Sequence, residues 1–118
     1  MKRNLNQYTK TLEGLLLDLN LLWSFDTTAS TFCQEVEDNI VAVDLCCYKI
    51  RHCLSSEEIS GERSKIRKYL ENVRSITYEY TTEDFKIKKM SLFEIKDLLG
   101  QLIDRVEGLI YQLKIGQR

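Results

Sequence analysis

The chain has 118 residues, 30% of them charged, a formal net charge of −1 and no proline. That length suits one domain, residues 1–118, with a core that buries roughly two-thirds of the surface an unfolded chain exposes. The charge balance carries neither a disorder signature nor a polybasic footprint, and the absence of proline favours long, unbroken helices.

Residues 4 to 24 predict a first helix. Leu5, Tyr8, Leu12, Leu15, Leu19 and Leu22 recur at steps of three and four, the spacing that aligns side chains along one helical stripe. Leu16 and Trp23 widen that stripe, while Leu17 and Leu21 fall on the opposite side. Asp18 and Asn20 interrupt the leucine run, so it is read neither as a signal segment nor as a membrane span. Asp26, Thr27 and Ser30 are candidate caps for the next helix.

A second helix is predicted from about Thr31 to Leu54, with Cys33, Val36, Ile40, Val43, Cys47, Ile50 and Leu54 as its seam and Cys46 and Cys53 one step round. Val41, Leu45 and Tyr48 again point elsewhere. Ser55, Ser56, Ser60 and Gly61 break the pattern, and Ser55 with Glu58 can open an extra turn. A third helix, from about Glu62 to Thr77, presents Ile66, Tyr69, Leu70, Val73 and Ile76.

The stretch from Ile76 to Met90 admits two readings. Its alternation of Ile76, Tyr78 and Tyr80, then a polar tip, then Phe85 and Ile87, fits a short hairpin. The alternative, which the pattern favours modestly, continues helix three to Tyr80 and follows it with an irregular loop. The last helix, Ser91 to Ile115, has the clearest signal. Leu92, Ile95, Leu99, Leu102, Val106, Leu109 and Leu113 form its seam, flanked by Leu98, Ile103 and Ile110. Ser91 followed by Glu94 is a capping box, and Lys114 and Gly116 suit a C-terminus. The expected fold is therefore all-α, a four-helix bundle that is mainly antiparallel, since three–four seams suit the shallow crossing angles of such bundles.

Most site chemistries find no support. The four cysteines lie on one predicted helix at spacings that match no structural zinc motif. They read as reduced thiols, two of them on the core seam, in a cytoplasmic protein. Cys53, beside His52 and Arg51, is the best candidate for a reactive thiol, with Tyr48 as a third member of a ligand or catalytic centre. His52 is the only histidine, and neither Glu-x-x-His pairs, nor a nucleophile elbow, nor a phosphate-binding glycine loop is present. The chain is read as non-enzymatic, with no cofactor, no metal and no membrane partner.

Two surfaces remain. Leu17, Leu21, Val41, Leu45 and Tyr48 are apolar groups in excess of one buried stripe per helix, which marks an interface. They point to an adaptor-like module that forms a homo-oligomer or docks a partner protein through helices one and two. The alternative is a nucleic-acid accessory protein contacting phosphates through Arg63, Lys65, Arg67, Lys68, Lys86, Lys88 and Lys89, although Glu62, Glu71, Glu79, Glu83 and Asp84 dilute that charge. Gly14, Gly100 and Gly108 each cost about 1 kcal/mol in a helix. Gly100 and Gly108 either admit a neighbouring helix closely or are neutral.

Overall fold

A computed structural model of the chain describes residues 2–24, 29–54, 64–81 and 86–116. Four helices pack as an all-α bundle: α1 (Lys2–Ser24), α2 (Ala29–Cys53), α3 (Ser64–Thr81) and α4 (Leu92–Gly116). A 3-10 turn at Lys86–Lys89 precedes α4. The principal packings are α1 on α2, α2 on α3, α3 on α4 and α4 back on α1. The helices thus follow one another round a closed ring, and each seam faces a common core.

The seams are buried where their spacing places them. Leu12 and Leu19 of α1, Val36, Ile40, Val43, Cys47 and Ile50 of α2, Val73 of α3, and Leu99, Leu102, Val106 and Leu109 of α4 have no solvent exposure. Leu92 departs from its seam and stays exposed. It stands at the first residue of α4, where there is little bundle left to cover it. The Ser91 capping box is formed: the Glu94 amide donates to Ser91 Oγ at 3.2 Å, and the Ser91 amide donates to the Glu94 carboxylate at 3.4 Å. Each satisfies a backbone donor that the first turn leaves orphaned. The caps proposed within 25–28 and the extra turn at Ser55 and Glu58 lie outside the described residues.

Ile76 to Thr81 is helix, not the first strand of a hairpin, and the loop expected to follow falls in part on 82–85, outside the described residues. α3 runs on to Thr81, and no strand occurs among the described residues. The reason is a three–four register that the alternation hid. Val73 and Thr77 are fully buried and Ile76 and Tyr80 half-buried, so 73, 76, 77 and 80 share one face. Thr77 disguises this face because it is polar, yet its hydroxyl donates to Asp44 Oδ1 of α2 at 2.7 Å. Ile87, in the 3-10 turn, is fully buried and plugs the core against α2; its carbonyl accepts from the Cys33 thiol at 3.9 Å. Phe32, one residue before the predicted seam of α2, is also core.

The glycines divide by environment. A methyl group at Gly108 would come within 2.5 Å of the Tyr69 ring, so this glycine lets α3 and α4 approach. At Gly14 there is open space, and at Gly100 the nearest atom, Trp23 Nε1, is at an ordinary 3.7 Å. Gly14→Ala is therefore expected to gain about 1 kcal/mol of helix propensity, raising the melting temperature by about 3–6 °C. Gly108→Ala should lose that gain to displacement of Tyr69, and Tyr69→Ala in the same chain should return part of it. Thermal unfolding followed by circular dichroism compares the variants.

Candidate functional site

All five apolar residues singled out on helices one and two are exposed: Leu17, Leu21, Val41, Leu45 and Tyr48. The fold sets Leu17 and Tyr48 on two different edges. Leu17 lies on the side of α1 that faces α4, lining a groove with Leu16, Ile110 and Tyr111. Tyr48 lies on the side of α2 that faces α3, with the Arg74 guanidinium 5.8 Å from its ring centroid. Because α1 and α2 are neighbours in the ring, these two sides are the outer flanks of the pair.

The α2 edge is partly satisfied by its own chain. The His52 ring packs against Tyr48 with centroids 4.4 Å apart and planes tilted by 59°. Asp44 accepts from Thr77 and stands 3.6 Å from Arg74 Nε. Tyr48, Asp44, Arg74 and Thr77 thus form one polar seam between α2 and α3.

The α1 edge continues across to α4. A groove of about 620 Å³ is walled by Trp23 of α1 and by Phe93, Ile103 and Asp104 of α4, with Gly100 on the same wall. A second groove of about 410 Å³ is walled by Leu17, Glu107, Tyr111 and Lys114. Asn20 lines both, so they are neighbours along the α1–α4 boundary. Phe93 is 81% exposed, Tyr111 63% and Leu17 62%. The rim is charged: Asp97, Asp104 and Glu107 against Lys96 and Lys114, with Lys114 paired to Glu13 at 3.4 Å. The sequence held a signal for this face, since Phe93, Gly100, Glu107 and Tyr111 recur on the side of the last helix away from its seam. The spacing makes Trp23 an extension of the buried stripe, but it sits in the last turn of α1 and remains half exposed.

The basic residues are dispersed. Lys65, Arg67, Lys68 and Lys89 are exposed; Arg63 and the side chains of Lys86 and Lys88 lie outside the described residues. Arg67 is engaged by Glu71 at 3.3 Å, one turn along. A small cavity of about 130 Å³ between α2 and α3 is nonetheless lined by Arg51, Arg67 and Arg74 together with Glu71 and Leu70.

The thiols turn into the protein. Cys46 and Cys47 are buried and Cys33 and Cys53 half-buried, all of them free. The Cys46 thiol donates to the Tyr8 carbonyl at 3.7 Å. Burial raises the Tyr8 phenol, and the nearby Cys53 adds to that rise, so Cys53 faces α1 while His52 faces Tyr48. The structure therefore parts the proposed Cys53–His52–Tyr48 centre. Among the described residues no three His, Cys, Asp or Glu side chains converge as metal ligands, and no helix is long and apolar enough to cross a membrane.

Comparison with protein-family models, with curated proteins and with solved structures finds no match to this chain.

Burial pushes the Cys46 thiol up to about 11 from an ordinary 9.0, and pushes Cys47 higher still. The folded state holds these protons while the unfolded chain releases them, so stability is fully present below pH 9 and falls as pH rises toward 11 and beyond. Each unit in that window is worth about 1.4 kcal/mol per thiol. Urea unfolding under reducing conditions should show this decline, and Cys46→Ala should flatten its first part.

Proposed function

We propose that this chain is a non-enzymatic protein–protein interaction module that docks a helical surface, of another copy or of a partner, on the face formed by α1 and α4. The observation that carries this reading is the pair of neighbouring grooves along that face. Trp23 and Phe93 line one and Leu17 and Tyr111 the other, and all four are exposed. Large aromatic and aliphatic groups gathered in one concave strip are the anchors from which interfaces draw most of their energy. A rim of mixed charge is what surrounds such anchors and selects among partners.

The sequence pattern pointed to helices one and two. The grooves shift the proposed interface by one helix, keeping Leu17 and replacing the α2 residues with α4 residues. Val41, Leu45 and Tyr48 remain exposed, but Tyr48 already has His52 and Arg74 against it.

A second reading draws on the cavity lined by Arg51, Arg67 and Arg74. Guanidinium groups that converge on one cavity suit phosphate oxygens, so contact with a nucleic-acid backbone through α3 is the alternative. Glu71 and Asp44 neutralise part of that charge, which makes it the weaker of the two.

A photo-crosslinking phenylalanine analogue placed separately at positions 93, 45 and 68, in cells that make the protein, separates these readings. Position 93 is expected to give discrete protein crosslinks, and Phe93→Glu with Tyr111→Glu should abolish the association while leaving the far-UV circular dichroism unchanged. Protein crosslinks from 45 with none from 93 would move the interface to the α2 edge. Crosslinks from 68 to nucleic acid, lost between 50 and 200 mM salt as phosphate contacts are, would favour the second reading.

A further inference from the structure

We infer that the occupant of the α1–α4 face is a second copy of this chain, packed about a two-fold axis that crosses α4 beside Gln101 and Leu102, with the two α4 helices antiparallel. This rests on the proposal that the α1–α4 face is an interaction surface, and it adds the identity and register of the partner.

The argument is self-complementarity. A two-fold contact joins the same patch on both copies, so a residue a given distance before the axis meets the residue the same distance after it. On the outward face of α4, two complementary pairs have midpoints half a residue apart. Lys96 and Glu107 are centred between residues 101 and 102, and Phe93 and Tyr111 are centred on residue 102. The first pair is cation with carboxylate, and the second is aromatic with aromatic. At 100° per residue, Lys96 and Glu107 lie 20° apart around the helix and Phe93 and Tyr111 coincide, so each pair stands on the same side of the contact line, as a two-fold axis requires. The like-charged Asp97 and Glu107 have a similar midpoint but stand about 80° apart and do not meet. Asp97 is occupied by the Gln101 amide at 2.9 Å.

The centre of the patch is shaped for close approach. Gly100 has no side chain, and the Trp23 indole nitrogen is 3.7 Å from where a Cβ would stand, so each copy presents a shallow site flanked by tryptophan. Lys96 already has an interaction within its own chain, and an ammonium with three donors can serve a second carboxylate. The area also suffices. A face about 20 Å wide, two helix diameters, on a molecule 45 Å long offers about the 800 Å² per partner that a standard stable interface takes.

The test is absolute mass by light scattering behind a sizing column, under reducing conditions, from about 10 µM to 1 mM loaded protein. The expected result is a dimer, twice 13.9 kDa. Lys96→Glu and Glu107→Lys, each creating two like-charge contacts across the axis, should weaken dimerisation at least about tenfold. The double variant, with the charges exchanged, should return to within about threefold of the parent. Circular dichroism checks that these surface variants keep the fold. A monomer throughout the range overturns the inference, as does a dimer indifferent to all three variants. Two weakened single variants with no recovery in the double overturn the register. The docking reading fails separately. A monomeric protein whose position 93 crosslinks to a different protein removes the second copy and keeps the face, whereas a protein with no crosslink from 93 and a normal mass removes both.

Discussion

Burial of the α4 stripe between α1 and α3 is the constraint from which the rest of the arrangement follows. α4 is apolar over a wider arc than its seam alone: Leu98 is buried on one flank, and Ile103 and Ile110 on the other. A helix with so broad an apolar arc must be covered on two sides, and the ring provides that with α3 and α1. Each leucine so covered contributes roughly 1.5–3 kcal/mol of apolar transfer. Once the two flanks are spoken for, only one narrow face of α4 is left to solvent, and that face carries Phe93, Gly100, Glu107 and Tyr111. The candidate surface is thus what remains after the core has taken everything it can reach.

Two finer devices fix how α3 sits in the ring. Gly108 lets the Tyr69 ring lie against the α4 backbone, which sets the spacing of α3 from α4. On the other side, the Thr77 hydroxyl and the Arg74 guanidinium converge on Asp44 of α2. Thr77 is fully buried, and a slip of α3 along α2 would exchange its short, charge-assisted bond to Asp44 for the longer 3.3 Å contact with the Arg74 carbonyl of its own helix, a weaker bond to a neutral acceptor. Apolar contact tolerates small slips, whereas this bond does not. The polar seam therefore specifies register, and the leucines and valines supply the bulk of the burial.

These devices also explain what the sequence made legible. The seams of α1, α2 and α4 could be read directly because each is a run of apolar residues at one period, and the Ser91 cap because its two halves are local. Thr77, Phe32 and Ile87 could not be read so easily. The shorter of the two bonds that satisfy the buried Thr77 hydroxyl goes to Asp44, a residue 33 positions away. Ile87 is buried from a single 3-10 turn, too short to show a period. At the candidate surface, helical spacing correctly placed Leu17, Leu21, Val41, Leu45 and Tyr48 off their seams. It did not say which neighbour stands on which side. Spacing measures an angle from the helix's own core direction, and whether that angle leans toward α2 or α4 depends on the hand of the ring, which no single helix contains. Trp23 illustrates the complementary error: its angle is core-like, but its position in the last turn of α1 leaves it half exposed.

The contrast between the two exposed edges bears on why one is the stronger interface candidate. On α2, the chain has already placed partners against its apolar group: His52 against one part of the Tyr48 ring and Arg74 near another. Little is gained by covering that ring again. On the α1–α4 face, Phe93 is the most exposed large apolar residue among those described and lines a groove. Transfer of an aromatic ring out of water is worth more when a second wall is present to receive it, since contact energy falls off within an ångström of separation. The charged rim has a second effect. Asp97, Asp104, Glu107 and Lys96 interrupt the apolar strip, so an apolar surface without matching charges would bury carboxylates against nothing, at a penalty that exceeds what a few ring contacts return. An occupant of such a face would have to supply apolar groups to the strip and complementary charges to its rim in the same register.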